Sequence, residues 1–195
     1  MMKKSSALLM AFIALGIGFL GGVVLSAYKS APGVQMPAGA PQQQAAASPQ
    51  ITQEQAGQIL ALEKELEQNP KNADAWTRLG NLYFDTDNFE SAIRAYEKSL
   101  ALNPRNADVQ TDLGVMYRRS GKPEEAIKAF DKAIGIDPRH EVSRFNKGIV
   151  LLHDLNDREG AIEAWEKLLE INPAATAPNG QPLRELVNRF KQSAG

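Results

Sequence analysis

The feature that most constrains this chain is a sequence repeat with a period of 34 residues. Residues 73–106 align with residues 107–140 without a gap, and residues 141–174 form a third unit. A glycine recurs at the same place in each unit, at Gly80, Gly114 and Gly148. A proline closes each unit, at Pro104, Pro138 and Pro173. Repeats of this length indicate stacked supersecondary units, none of which can bury its apolar face alone.

Each unit is predicted to be a hairpin of two helices. Its apolar residues fall at helical spacing in two blocks, separated by turn residues such as those at 85–88 and 120–123. Gly80 and Ala92 are small where the two helices approach, and aromatic side chains are expected to fill the space between hairpins. These aromatic residues are Tyr83, Tyr96, Tyr117 and Phe130. The closing proline ends the second helix because it has no amide donor.

The third unit differs in length, and shorter segments flank the array. Pro173 follows Pro138 after 35 residues, which predicts one extra residue in the turn around 155–159. Residues 54–72 indicate a half unit, opened by a capping box at Thr52 and Gln55. An amphipathic helix over about 181–193 is expected to cap the last hairpin, as repeat arrays require.

The repeated residues resemble the tetratricopeptide repeat (TPR) signature. Matching positions in the first unit are Trp76, Leu79, Gly80, Tyr83, Ala92, Tyr96 and Pro104. In the second unit they are Leu113, Gly114, Tyr117, Ala126, Phe130, Ala133 and Pro138. The third unit keeps Gly148, Ala161, Trp165 and Pro173, but Lys147 replaces the leucine before the glycine and leaves the register open by one residue. The resemblance implies an all-α, right-handed solenoid of helix hairpins over residues 54–195.

A TPR array presents a concave groove lined by the first helix of each hairpin. The resemblance places these residues there: Thr77, Asn81, Phe84 and Asp85; Thr111, Val115, Arg118 and Arg119; Val142, Phe145, Ile149 and Leu152. The groove is therefore expected to be cationic in the middle and apolar towards the third unit. It suits proteins or peptide tails with apolar anchors and an acidic group or carboxylate near Arg118 or Arg119. For Phe145, packing against the terminal helix is an equally good interpretation.

The resemblance also bears on the ligand. The lysine and asparagine clamp with which TPR domains hold chaperone tails is not matched, because Thr77 and Asp112 occupy two of its positions. Residues 55–173 resemble the TPR module of cytochrome c biogenesis haem-lyase accessory proteins, through LEKELEQNPKNADAW at 62–76 and AIEAWEKLLEINP at 161–173. Members of that family are membrane-anchored and present the carboxy-terminal segment of an apocytochrome in the periplasm. The alternatives are a generic TPR scaffold for an envelope assembly, such as a pilus, secretion or polysaccharide complex, and a regulator of an enzyme partner.

Residues 1–29 predict a membrane anchor. Residues 5–27 carry no charge and as a helix would be roughly 34 Å long, enough to span a bilayer core, with the transmembrane part over about 7–27. Two lysines precede it and one follows, which places the TPR units on the periplasmic side of a bacterial inner membrane. Cleavage as a signal peptide, giving a secreted protein, is the alternative. A seam for pairing with another membrane helix is offered by Ala14, Gly18, Gly22 and Ser26.

Residues 30–53 predict a flexible linker. They carry no charge and consist mainly of alanine, glutamine, proline and glycine, so they cannot bury enough apolar surface to offset the entropy of ordering. The linker would let the folded units stand clear of the bilayer.

Composition excludes several classes of function. The chain has no cysteine, which rules out thiolate metal sites and covalent haem attachment through CxxCH. Its net charge of −1 argues against nucleic-acid binding, which needs a basic face. His140 and His153 share no metal-ligand spacing and are interpreted as surface or groove-lining residues. Since no catalytic constellation stands out, we expect neither an enzyme nor a cofactor.

Overall fold

The computed structural model describes residues 51–192, which form a single stacked array of eight α-helices. They are α1 Gln53–Gln68, α2 Ala73–Asp85, α3 Phe89–Leu102, α4 Ala107–Arg119, α5 Pro123–Ile136, α6 Glu141–His153, α7 Arg158–Ile171 and α8 Leu183–Gln192. The β pairing in this part of the chain is one isolated antiparallel bridge between Thr176 and Pro182. The all-helical fold class predicted from the repeat is confirmed.

Several predictions for the amino-terminal part fall outside the described residues. These are the membrane segment over 7–27, most of the linker over 30–53, and the pairing seam of Ala14, Gly18, Gly22 and Ser26. Within residues 51–192, none of the helices has the length and apolar character needed to cross a membrane.

Helix starts and ends follow from local sequence. Six helices begin with a side chain that accepts a hydrogen bond from the amide three residues further on, at Thr52, Asn72, Asn88, Asn106, His140 and Asp157. At α1 the capping box is confirmed, since Thr52 and Gln55 each bond the backbone of the other. The second helices α3, α5 and α7 end two residues before the prolines that close each unit.

The extra residue of the third unit lies in its turn. The turn between α6 and α7, residues 154–157, has one residue more than the corresponding turns 86–88 and 120–122. Helix α6 has 13 residues, as do α2 and α4. The insertion therefore leaves the register of α6 unchanged, and Gly148 faces Trp165 as Gly114 faces Phe130.

These glycines allow a close approach inside each hairpin. A Cβ atom at Gly80 would lie 2.5 Å from Cε1 of Tyr96, and one at Gly114 would lie 2.6 Å from Cε1 of Phe130. The rings of Tyr96 and Phe130 therefore cover the glycine of their own hairpin, in addition to the expected packing between hairpins. Tyr96 also contacts the next unit, because it shares a buried cluster with Val109, Leu113 and Met116.

One contact recurs wherever a second helix meets the next first helix. An acidic residue of the second helix binds a tyrosine or lysine of the following helix, in the pairs Glu63–Tyr83 (2.7 Å), Glu97–Tyr117 (2.6 Å), Asp131–Lys147 (2.5 Å) and Glu166–Lys191 (2.5 Å). We call the surface that carries these four contacts the back face. Burial and Glu63 raise the pKa of Tyr83 to about 12, so its hydroxyl remains a donor at neutral pH.

The back-face contacts explain two departures from the repeat. Lys147 stands where the other units have a buried leucine, and its ammonium reaches Asp131. Helix α8 makes the fourth contact, so it occupies the place of the first helix of a further unit. Its Leu183 and Val187 are buried against the third hairpin, and Phe190 stacks on Trp165 at a centroid distance of 5.8 Å. The terminal helix therefore covers apolar surface that the third hairpin would otherwise expose.

Candidate functional site

The first helices α4 and α6 lie side by side and are joined along their length. Near the start of α4, Asp108 bonds Nε2 of His140 at 3.0 Å. In its middle, the hydroxyl groups of Thr111 and Ser143 are 2.6 Å apart, and at its end Arg118 pairs with Asp154 at 2.5 Å. The two helices therefore present one continuous surface.

The end of α4 is also tied to the turn after α2. The guanidinium of Arg119 lies 5.6 Å from the ring centroid of Phe84 and 5.2 Å from that of Phe89. It also pairs with Asp87 at 2.7 Å. These contacts join α2 to the surface formed by α4 and α6.

The site residues predicted from the sequence form one stripe on each of these helices. Within α2 and α4 they are spaced at i, i+4, i+7 and i+8, and within α6 at i, i+3, i+7 and i+10. The residues of each helix therefore share a face. We call the surface made by the three stripes the groove. It comprises Thr77, Asn81, Phe84, Asp85, Thr111, Val115, Arg118, Arg119, Val142, Phe145, Ile149 and Leu152.

Thr111 differs from the other groove residues because it is buried. It is 3% exposed, and its hydroxyl bonds the carbonyl of Ala107 as well as Ser143. A ligand in the groove cannot reach this side chain. Thr111 therefore stabilises the wall between α4 and α6, which corrects its expected role as a contact residue.

The two arginines at the centre of the groove already have partners. Arg118 is held by Asp154, and Arg119 is held by Asp87 and by two aromatic rings. A ligand carboxylate at either guanidinium would have to displace an internal carboxylate. The middle of the groove is therefore less cationic than the sequence indicated.

The third unit supplies the apolar part of the groove. Val142 is 58% exposed, and Ile149 and Leu152 are partly buried against the core of the third hairpin. Phe145 lies 6.2 Å from Trp165 between ring centroids, and its carbonyl accepts a hydrogen bond from Nε1 of Trp165 at 3.1 Å. Phe145 therefore contacts the core of its own hairpin, and through Trp165 it is linked to the terminal helix.

We call Asp85, Asp108 and Asp112, which act on one another or on Tyr96, the acidic floor of the groove. The hydroxyl of Tyr96 donates to Oδ1 of Asn81 at 2.8 Å. Burial raises the pKa of Asp112 to about 6, Asp108 adds to this increase, and His140 opposes it. Burial also raises the pKa of Tyr96, with smaller contributions from Asp112 and Asp85. Sequence reasoning noted Asp112 as a mismatch to the chaperone clamp and missed this electrostatic role.

A serine, a histidine and an aspartate form a chain beneath the groove. Oγ of Ser143 is 2.8 Å from Nδ1 of His140, whose Nε2 is 3.0 Å from Asp108. This connectivity is that of a hydrolase triad, but Ser143 is 0% exposed and no substrate can reach it. Nδ1 also accepts the amide of Ser143 at 3.3 Å, so the chain caps α6.

His140 was expected at the surface or in the groove, and the structure corrects this. Its side chain is 13% exposed because it caps α6 and contacts α4. The signal available in the sequence was its position one residue before a helix, three residues ahead of a serine. Among residues 51–192, no cluster of three or more histidine, aspartate or glutamate side chains is arranged to bind a metal.

Comparison with known proteins gives a family and a fold. The family described as the cytochrome c-type biogenesis protein H TPR domain matches residues 35–177. A crystal structure of MamA is similar with a TM-score of 0.61 and 26% identity, covering 72% of this chain and 86% of MamA. No curated protein sequence matches the chain.

Two further TPR structures have the same fold at lower sequence identity. The first TPR of Spaghetti (RPAP3), bound to the HSP90 peptide SRMEEVD, has a TM-score of 0.55 and 21% identity, covering 63% of this chain and 92% of that one. The Sgt2 TPR domain from Aspergillus fumigatus has a TM-score of 0.53 and 24% identity, covering 63% and 78%. These similarities confirm the TPR fold.

Proposed function

The chain belongs to the family of cytochrome c-type biogenesis protein H TPR domains, and we propose that it docks the carboxy-terminal segment of an apocytochrome c and presents it for haem attachment. The TPR domain of this family is a protein-interaction module. In this proposal the groove binds the segment, and the haem chemistry belongs to partner proteins. The chain itself acts without a catalytic group.

The observation that carries this proposal is the location of the groove within the matched residues. Residues 35–177 include α2, α4 and α6, and the apolar end of the groove carries Val142 at 58% exposure. We call Val142, Ile149 and Leu152, of which Val142 is exposed and the other two are partly buried, the apolar strip. Such a surface suits the apolar face of a helix or an extended segment. The Spaghetti structure supports peptide binding by a domain of this fold.

We place the protein in the bacterial inner membrane, with a single span over residues 7–27 and the TPR units in the periplasm. The uncharged run of residues 5–27 and the lysines before it support this topology. Residues 30–53 would give the units reach above the bilayer. In bacteria that have members of this family, the periplasm is where cytochromes c receive haem.

The proposal is tested by identifying the proteins that bind the chain in its native membrane. The full-length protein is purified in detergent after brief crosslinking, and the proteins recovered with it are identified by mass spectrometry. Apocytochromes together with haem-lyase subunits are the expected result. Recovery of pilus, secretion or polysaccharide assembly components without cytochromes would reject the proposal and favour a generic TPR scaffold.

A second test asks whether the peptide binds in the groove. The full chain is titrated with a fluorescent peptide of the last roughly twenty residues of a recovered apocytochrome, about 30 Å long as a helix. Val142→Glu is expected to weaken binding at least tenfold, because it puts a charge on the apolar strip. Leu102→Glu is the matched control, since Leu102 is 41% exposed at the end of α3, away from the groove. Equal effects of the two substitutions would argue against the groove.

A further inference from the structure

The groove holds a carboxylate that receives no internal cation. Asp112 lies in the middle of α4, half-buried, and within residues 51–192 no hydrogen bond or ion pair to its side chain is formed. The charged groups that act on it are the carboxylate of Asp108 and the imidazole of His140, and the hydroxyl of Tyr96 lies nearby. Asp108 adds negative charge at Asp112, and the hydroxyl of Tyr96 donates to Asn81 and is not available to Asp112.

The lysine and arginine side chains of the first helices have other partners. The contacts are Arg78–Glu65 (3.1 Å), Arg118–Asp154 (2.5 Å), Arg119–Asp87 (2.7 Å), Arg144 to the carbonyl of Pro138 (2.7 Å) and Lys147–Asp131 (2.5 Å). The histidine near Asp112 has its two ring nitrogens occupied by Asp108 and Ser143. The acidic floor is therefore left for a cation supplied from outside.

The position of Asp112 connects this charge to the apolar strip. Val115 lies one helical turn further along α4 and is partly buried against the cluster of Ala126, Phe130 and Val150. Ile149 and Leu152 follow on α6. A segment lying across α4 and α6 can therefore place one polar side chain at Asp112 and its apolar side chains on the strip. A cation at this point gains from a half-buried carboxylate that water solvates poorly.

We infer that the groove selects a segment carrying a lysine or arginine, whose cation is accepted by Asp112 while apolar neighbours contact Val115, Ile149 and Leu152. This inference rests on the proposed function and specifies the chemistry of the ligand. It reverses the sequence expectation of an acidic group or carboxylate at Arg118 or Arg119, because those guanidinium groups are neutralised within the chain. The raised pKa of Asp112 agrees with a carboxylate that lacks a positive partner.

The test is a double-mutant cycle between the protein and the peptide. The full chain and its Asp112→Asn variant are titrated with the apocytochrome peptide described above, and with versions in which each lysine or arginine is replaced in turn by glutamine. One of these replacements is expected to weaken peptide binding to the unaltered chain about tenfold. The same replacement should change peptide binding to the Asp112→Asn variant less than about twofold. Asp131→Asn is the matched control, because Asp131 lies on the back face and is expected to show no coupling to any peptide residue.

The outcomes separate this inference from the proposed function. If replacing each basic residue of the peptide has the same effect on binding to Asp112→Asn as to the unaltered chain, while Val142→Glu still weakens binding at least tenfold, the inference is wrong and the groove remains the docking site. If the peptide fails to bind the unaltered chain, or Val142→Glu leaves its affinity unchanged, the proposed function itself is rejected. Because an asparagine has the shape of an aspartate, the variant is expected to fold, which circular dichroism verifies.

Discussion

The back face and the groove are formed by the same helices but follow opposite rules. On the back face an acid of one unit contacts a tyrosine or lysine of the next, four times in succession. In the groove, equivalent positions carry unrelated side chains, such as Asn81, Val115 and Ile149, which follow one another at intervals of 34 residues. The repeated contacts hold the units together, and the positions that vary are those available for recognising a ligand.

The two surfaces also differ in how far their charges are satisfied. Each acid of the four back-face contacts has a partner on the following helix. In the groove, the central arginines are paired within the chain whereas Asp112 is not. The comparison therefore indicates that the back face stabilises the fold. The carboxylate of Asp112 in the groove is left for a cation from another molecule.

The largest expected effect comes from disturbing the repeated packing that both surfaces require. In Gly148→Ala the new Cβ would collide with the indole of Trp165, which is fully buried. We expect a loss of about 2–4 kcal/mol in the free energy of unfolding, measured by urea titration of the full chain. Gly135→Ala is the control, because Gly135 is exposed in α5 with no atom within 4 Å of its would-be Cβ. There a gain of roughly 0.5–1 kcal/mol is expected from helix propensity, and a loss at both sites would contradict the account.

The next effect isolates the unsatisfied charge of the groove. The pKa of Asp112 is raised to about 6 from an ordinary value of 3.8, so the folded chain binds more protons than the unfolded chain between these values. Its contribution therefore makes the fold less stable as the pH rises from about 4 to 6. Asp112→Asn should remove this slope and stabilise the chain at pH 7 by about 1 kcal/mol, after allowance for partial solvent exposure. Thermal unfolding at pH 4, 5, 6 and 7 measures the difference, and a variant with an unchanged slope would contradict the assignment.

A smaller effect tests the back face. Tyr117→Phe removes the hydroxyl that donates to Glu97 at 2.6 Å and leaves the ring in place. We expect a loss of about 0.5–1.5 kcal/mol in the free energy of unfolding and no change in peptide affinity. Weaker peptide binding in this variant would mean that the ligand contacts the back face, and the division between the two surfaces would then be wrong.

The smallest expected effect on stability belongs to the groove variant with the largest expected effect on binding. Val142 is exposed, so Val142→Glu should change the free energy of unfolding by less than about 0.5 kcal/mol. The same urea titration measures it. A loss of several kcal/mol would show that Val142 supports the fold. Reduced peptide binding by this variant would then no longer show that the peptide contacts Val142.

The sequence predicted the parts of the fold that depend on local chemistry. The repeat gave the hairpins, the prolines gave the ends of α3, α5 and α7, and the capping box at Thr52 and Gln55 gave the start of α1. The 35-residue interval to Pro173 correctly predicted an added residue in the turn of the third unit. Each of these signals lies within a few residues of its consequence, or repeats at a fixed interval.

The sequence could not predict contacts between side chains on different units. Arg118 is paired with a residue 36 positions later, and Arg119 with one 32 positions earlier, so neither pairing leaves a pattern in the sequence. Thr111 is buried because Ser143 of another hairpin lies against it. The electrostatics of the groove follow from such pairings, which is why the sequence did not predict the charge of the groove.

The central claim, that the groove docks a carboxy-terminal apocytochrome segment, is tested most directly by hydrogen–deuterium exchange of the full chain with and without the peptide. We predict slower exchange in α4 and α6 and at the end of α2, with α3, α5 and α7 unchanged beyond a uniform stabilisation. Protection confined to the second helices, or no protection at saturating peptide, would contradict the claim.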